Sequence, residues 1–394
     1  MDRGKFRLAV FGIRTLPPSN GAAGSDTVAE QIYPRLAERG HEVTVYCRLY
    51  GTENERPSPQ FRGVKLIHMR TVSRAGFDTL LHSLRATFHI LIHNTADVVH
   101  IHNGGNSIFA IPLRLLGKRV FVAQDGIDWN RAKWRWYARL FLRLSTHLTA
   151  TVPTMVIFDN IYVKKYFEER FRRSYLFVPY GSDVADPRNL AALEKYGIPR
   201  GGYFLFVGRF IPEKGIHYLI EAFHAVKTDK SLVIVGGSPN PNSEYERQLH
   251  AIQDPRIRFM GYVYGDEMLQ LMKGAYCYVQ PSDIEGLSPV ILTAMGLAVP
   301  IICSNIPENR YAVGNTALLF EKGSIPSLKA QIEHALANPD GLAVLAEGSR
   351  KRARKYFSWE TIVQYYEEIF SQKTVWDLRS IRREFGVDDG ESGS

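Results

Sequence analysis

"YFLFVGRFIPEKGIHYLIEAFHAV", residues 203–226, starts a strand-and-helix pattern for the second time in this chain. Tyr203 to Arg209 is a short, mostly apolar run of strand length. A turn bearing Pro212 and Gly215 follows, and "GIHYLIEAFHAV" has the spacing of a helix. Four further strand-like runs come after it: "SLVIVGG" (231–237), "IRFMGYV" (257–263), "AYCYVQPS" (275–282) and "VPIICSN" (299–305). Helical stretches lie between them. Such alternation builds a parallel sheet covered by helices.

The same alternation has already run once upstream. "FRLAVFG" (6–12), "HEVTVYC" (41–47), "GVKLIHM" (63–69), "ADVVHIHN" (96–103) and "RVFVAQDG" (119–126) read as strands. "TVAEQIYPRLAERG" and "FDTLLHSLRATFHILIH" read as helices. Two doubly wound units are more economical than one very large sheet, and 394 residues suit two domains of about 150–200. The break falls in "VPYGSDVADPRNLAALEKYGIPRGG" (178–202), where Pro and Gly cluster. The expected division is 1–180 and 181–357, with a last helix at about 358–380 rejoining the first domain. That helix, "SWETIVQYYEEIF", has Ser358 as its N-cap. Thr361 stands where a capping box would carry Glu or Gln. The tail "VDDGESGS" reads as disordered.

Composition narrows the class. The chain is 45% apolar and 23% charged, which is globular. No run reaches the roughly 20 apolar residues that cross a bilayer. The first strand-like run is short and lacks a cleavage site, so no signal peptide is expected. Cys47, Cys277 and Cys303 sit in β-like apolar runs without metal-ligand spacing and read as reduced, buried thiols of a cytoplasmic protein. The net charge of +9 points to an anionic partner without choosing among nucleotide, nucleic acid and membrane.

In open parallel sheets, ligands bind beyond the carboxyl ends of the strands. The informative residues should therefore follow strands. In "VGRFIPEKG" (207–215), Gly208 allows a close backbone approach, and Arg209 and Lys214 place two cations at one strand end. The pair suits a diphosphate, or else a solvated loop with Glu213 as its salt-bridge partner. In "SDIEGLSPVILTAMG" (282–296), the amides of Gly286, Leu287 and Ser288 lie at a helix N-terminus, which favours an anion. Glu285 is placed to accept sugar hydroxyls, or simply to interact with that helix end. "GIRTLPPSNGAAGSD" (12–26) is neither GxGxxG nor a P-loop, which argues against P-loop ATP or GTP hydrolysis. Its Gly21, Ala22, Ala23 and Gly24 suit packing against a ligand or a flexible connection.

His102, Asn103 and Asp125 also follow strands and are expected to project towards a cleft. His100 and His102 share one face, but no third ligand has suitable spacing, so no metal is expected. No G-x-S-x-G elbow supports a serine triad. "DWNRAKWRWYARLFLRL" (128–144) mixes five Arg/Lys with aromatics. It reads as a surface helix, a contact with an anionic membrane, or a base-stacking surface.

With these motifs in place, the chain resembles the family 4 glycosyltransferases of the GT-B fold over nearly its whole length. "VGRFIPEKGIHYLIEAF", "VPYGSDV", "EGLSPVILTAMGLAVPIICSNIPENR" and "FSWETIVQYYEEIF" occur in the order found in that family. "GAAGSDTVAEQIYPRLAERGHEVTVYC" and "GIDWNRAKW" are similar to its bacterial and archaeal rhamnosyl- and mannosyltransferase-like branch. The resemblance implies two Rossmann-like domains facing across a cleft, the second holding the donor. It implies retaining, metal-independent transfer of a hexose from a UDP-, GDP- or dTDP-sugar to an acceptor hydroxyl, with no cofactor and no nucleic acid. Arg209 and Lys214 match the family's diphosphate cations, Glu285 the first acid of its E-x7-E motif, and Gly286, Leu287 and Ser288 the amides near the phosphate. The implied acceptor is lipid-linked or a growing saccharide, reached by a cytoplasmic enzyme peripheral to the inner membrane face.

Two positions depart from the family. Its second glutamate, which binds the ribose hydroxyls, is replaced here by Thr293. A neutral hydroxyl cannot accept two charge-assisted hydrogen bonds. Weaker donor binding, an altered nucleotide portion and lost activity all follow as readings. Asp125 stands where many relatives carry a histidine near the donor sugar. The alternative to an active transferase is a non-catalytic protein of this fold that binds a sugar nucleotide or supports a partner enzyme.

Overall fold

The computed structural model describes residues 4–18, 24–50, 57–72, 77–124, 136–238 and 244–372. The chain divides into two units, Met1–Tyr180 with Trp359–Ser394, and Gly181–Ser358. Each is built on its own sheet.

The first unit has eight strands: β1 (Arg7–Phe11), β2 (Glu42–Leu49), β3 (Gln60–Phe61), β4 (Val64–Arg70), β5 (Val98–His102), β6 (Arg119–Gln124), β7 (Met155–Phe158) and β8 (Leu176–Phe177). They lie in the order β3-β4-β2-β1-β5-β6-β7-β8. All pairs are parallel except β3 with β4. The strands β3, β7 and β8 were not anticipated. They are two to four residues long and too short to show a period.

Side chains alternate across β1. Leu8 and Val10 pack with Ile32, Tyr33 and Leu36 of helix α1 (Gly24–Glu38). Ala9 and Phe11 pack on the other face with Ala86 and Ile90 of α2 (Phe77–His93) and Leu113 of α3 (Ala110–Leu115). Helix α4 (Trp136–Thr151) follows β6. Helix Trp359–Ser371 closes the first face. Its Ile362, Val363, Ile369 and Phe370 are almost wholly buried, each contributing about 1.5–3 kcal/mol. Arg39 and His41 bind Glu367 of this helix at 2.7 and 3.0 Å. Burial alone would raise the Glu367 carboxyl, but hydrogen bonds from His41 and Arg39 outweigh it and hold it below its ordinary value.

The second unit has six parallel strands: β9 (Tyr203–Arg209), β10 (Ser231–Gly237), β11 (Ile257–Gly261), β12 (Cys277–Gln280), β13 (Ile301–Ser304) and β14 (Leu318–Phe320). Their order is β11-β10-β9-β12-β13-β14. The chain steps outward from β9 in one direction, then returns to β9's other side with β12. The carboxyl ends of β9 and β12 therefore flank a topological switch point. The three cysteines are free and buried. Burial pushes the Cys47 thiol up to about 11 and raises the other two as well. None is a reactive thiolate.

His100 and His102 do share one face, but it is an interior one. The Tyr33 hydroxyl lies 2.8 Å from His100 Nδ1 and 2.5 Å from His102 Nε2. Both rings are buried. Burial drives both imidazoles to lower pKa, His102 to about 4, so both are neutral. His102 thus belongs to the packing of α1 on the sheet, and it also lines a small cavity with Val28, Asp159 and Tyr366. Tyr33→Phe removes the one hydroxyl that serves both rings. Stability should fall by about 1–3 kcal/mol, read as a lower midpoint in urea with an unchanged slope. An unchanged midpoint would mean that the rings find other partners.

Candidate active site

The loops after β9 and β12 meet at the switch point of the second sheet. After β9 the chain makes a 3-10 turn, Pro212–Lys214, and Gly215 enters the next helix with φ of +66°. A Cβ at Gly215 would fall on the carbonyl of Pro281. Only glycine fits both the torsion and the space. The Asp283 N–H donates to the Glu213 carbonyl at 2.9 Å and joins the two loops.

Across this junction Lys214 Nζ donates to Glu285 Oε1 at 2.5 Å. The Glu285 side chain is 8% exposed and that of Lys214 20%. Ser282 Oγ donates to the same Oε1 at 2.6 Å. Glu213, the carboxylate proposed from sequence as the local salt-bridge partner, is not the one Lys214 takes. Lys214 and Glu285 are 71 residues apart, so the pairing comes from strand order alone. Arg209 ends β9 and is exposed.

A buried polar chain stands behind Glu285. Ser304 Oγ donates to the Ser282 carbonyl at 2.5 Å. Asn309 Nδ2 donates to both the carbonyl and the hydroxyl of Ser304, and Gln280 Nε2 donates to Asn309 Oδ1 at 2.8 Å. Tyr278 closes the chain on Gln280 Oε1 at 2.9 Å. Sequence reasoning missed these residues. Their signal was present as polar side chains at the carboxyl ends of apolar strands, in "YVQPS" and "IICSN".

Ser288 is the N-cap of helix Pro289–Gly296, and its Oγ accepts from Ile291 N–H at 3.4 Å. The N–H groups of Gly286, Leu287 and Ser288 make no hydrogen bond among the described residues. Three consecutive unpaired amides at a helix start form a receptor for an anion. Thr293 donates its hydroxyl to the Pro289 carbonyl at 2.9 Å. Its proton is committed to the helix, and only its lone pairs face outward chemistry. The close approach at Gly208 is made by the protein itself, because a Cβ on the paired Gly236 would fall on the Gly208 carbonyl.

Asp125, Gly21 to Ala23 and residues 128–135 lie outside the described residues. Gly24 opens α1. Asn103 caps the following 3-10 turn by accepting from Gly105 N–H at 2.9 Å. Among the described residues, no group of three His, Cys, Asp or Glu is placed to hold a metal.

Residues 22–172 match the family described as Glycosyltransferase Family 4, and residues 201–338 match Glycosyl transferases group 1. Each half of the chain thus matches a glycosyltransferase family model. Its relatives include the O-antigen chain mannosyltransferase B of Escherichia coli, 29% identical over 176 residues, which cover 43% of this chain and 46% of that protein. The capsular polysaccharide glycosyltransferase CapM of Staphylococcus aureus is 26% identical over 42% of this chain and 45% of that protein. The chain spans about half the length of these curated relatives. Among solved structures, Anabaena HepE in complex with UDP superposes with a TM-score of 0.72 at 16% identity, covering 92% of this chain and 99% of that one. Sucrose-phosphate synthase from Thermosynechococcus elongatus gives 0.70 at 20% identity, covering 92% and 99%. These likenesses show the GT-B fold.

Glu308, also unforeseen, lies buried near this network. Burial raises its carboxyl to about 7. The Glu285 charge adds to the rise, while its own N–H and Lys322 oppose it. A carboxyl raised on folding contributes stability below its unfolded pKa, near 4.5, and loses it as pH rises through 7. Glu308→Gln should therefore melt like the parent near about pH 5 and a few degrees above it near about pH 8. A difference that does not grow between the two pH values would remove this assignment.

Proposed function

We propose that the protein is a retaining glycosyltransferase that moves a hexose from a nucleotide diphosphate sugar to an acceptor hydroxyl. The Lys214–Glu285 contact beside three unpaired amides carries this reading. Lys214 and Arg209 supply positive charge for a diphosphate. The amides of Gly286, Leu287 and Ser288 supply dipoles for a phosphate oxygen. Glu285 Oε1 is held by Lys214 and Ser282, which leaves Oε2 to accept from a sugar hydroxyl. These are the groups that stabilise charge building on a leaving diphosphate.

In the proposed step the bond from the sugar C1 to the phosphate oxygen breaks, and its electron pair leaves with the diphosphate. The acceptor oxygen bonds to C1 on the same face, and its proton passes to a phosphate oxygen of the donor. The protein contributes positioning and electrostatics and needs no metal. Support for the donor class comes from HepE, solved with UDP and with UDP-glucose. The names of the E. coli and S. aureus relatives, for O-antigen and capsular polysaccharide, support a lipid-linked or growing saccharide as acceptor. A cytoplasmic enzyme peripheral to the inner membrane face fits such an acceptor. One observation favours a second, non-catalytic reading: Thr293 spends its hydroxyl proton on Pro289, where relatives have an acid for the ribose.

Nucleotide release from UDP-, GDP-, dTDP- and ADP-sugars tests both. The parent should release nucleotide from one donor class. Glu285→Ala should lose about 100-fold or more of that rate. Thr293→Glu should tighten the donor by about tenfold. Undiminished release in Glu285→Ala would sink the site assignment. Calorimetric silence with every donor would favour the non-catalytic reading.

A further inference from the structure

Helix α2 is apolar on two opposite sides. Its inward side carries Ala86 and Ile90 in the core. At about 100° per residue, Phe77, Leu84, Phe88 and Ile92 fall within roughly 80° of one another on the other side. All four are exposed, Phe88 at 61% and Ile92 at 70%. A soluble surface helix normally keeps that side polar.

Helix α3 continues the pattern. Leu115 is 80% exposed and Leu116 64%, and Ile111 is also exposed. Both helices pack on the same face of the first sheet, since Ala86, Ile90, Ala110 and Leu113 share one core cluster. Lys118 Nζ donates to Asn94 Oδ1, which ties the carboxyl end of α2 to the turn after α3. Ile92 therefore lies at the same edge as Leu115 and Leu116.

The charges around this patch are predominantly positive. Arg85, Arg114 and Lys118 donate only to backbone carbonyls and an amide oxygen among the described residues. From Leu84 to Arg119 the sequence holds one acid, Asp97, and Arg7 already takes it at 2.7 Å. An apolar stripe bordered by a surplus of cations matches an anionic lipid surface. It does not match a second copy of the chain, because a two-fold contact would oppose these cations to themselves.

We infer that the outer sides of α2 and α3 form a docking surface for an anionic phospholipid bilayer. The inference gives the proposed membrane-linked acceptor a concrete contact and rests on that reading for its purpose. It also differs from the sequence reading, which placed such a contact in residues 128–144.

The test is co-sedimentation of the full-length protein with phosphatidylcholine vesicles, with and without phosphatidylglycerol. The parent should sediment with the anionic vesicles and be released by high salt. A Phe88→Ser, Ile92→Ser, Leu115→Ser triple variant should lose about tenfold or more of the bound fraction. An Arg85→Glu, Arg114→Glu, Lys118→Glu variant should lose the preference for phosphatidylglycerol. All six positions lie on the outer surface or its rim, and an unchanged melting transition confirms that the variants fold. Three results overturn the inference. The parent stays in the supernatant with both vesicle types, or the apolar variant binds as the parent does. The third is that sedimentation velocity shows the parent self-associating through the patch. None of these readouts needs turnover, so failure of the transferase reading would be seen separately, in the nucleotide assay.

Discussion

The contact between the Lys214 ammonium and the Glu285 carboxylate, 2.5 Å long and largely shielded from water, is the interaction around which the second unit is organised. It joins two loops that the Asp283 N–H to Glu213 carbonyl bond also ties together. Ion pairs on a surface are worth little, but one partly removed from water is costly to break from one side only. The strand order makes the pair possible. The polar chain from Tyr278 through Gln280, Asn309, Ser304 and Ser282 keeps the carboxylate in place. Such a chain is useful only if every member is satisfied, and here each hands its hydrogen bond to the next.

The two units treat buried polar groups differently. In the first, Tyr33 and two neutral imidazoles form a closed set facing Tyr366 and Phe370. That set ends in aromatic rings and does structural work. In the second, the chain of polar groups leads outward to an ammonium that solvent still reaches. Buried polar residues at strand ends thus serve packing in one sheet and lead to the candidate site in the other. Sequence spacing alone does not distinguish them.

Much of the frame was legible. "YFLFVGR" and "SLVIVGG" are β9 and β10 to the residue, because buried parallel strands read as continuous apolar runs. The short edge strands β3, β8 and β14 were hidden, since two or three residues carry no pattern. Arg209, Lys214 and Glu285 were singled out because they end or follow strands, and the structure brings Lys214 and Glu285 into contact. The support of Glu285 by Ser282 was not, because a serine after a strand reads as any loop residue. Lys214 was offered Glu213 as a neighbour in sequence, and folding gave it Glu285 instead. Glu308 was unreadable, since its raised carboxyl is a property of burial beside Glu285.

The helix Trp359–Ser371 belongs to the first unit although the whole second unit precedes it in the chain. On a ribosome that emits the chain from its amino end, the first sheet emerges with one face covered only in part, by α1. Phe6 and Phe121 lack their ring contacts there until Phe370 arrives. The second unit is contiguous and depends on no later segment, so it can complete itself as soon as it emerges. The part of the protein made first is therefore finished last. A truncation that removes this helix would damage the unit built on strands β1 to β8, far from it in sequence.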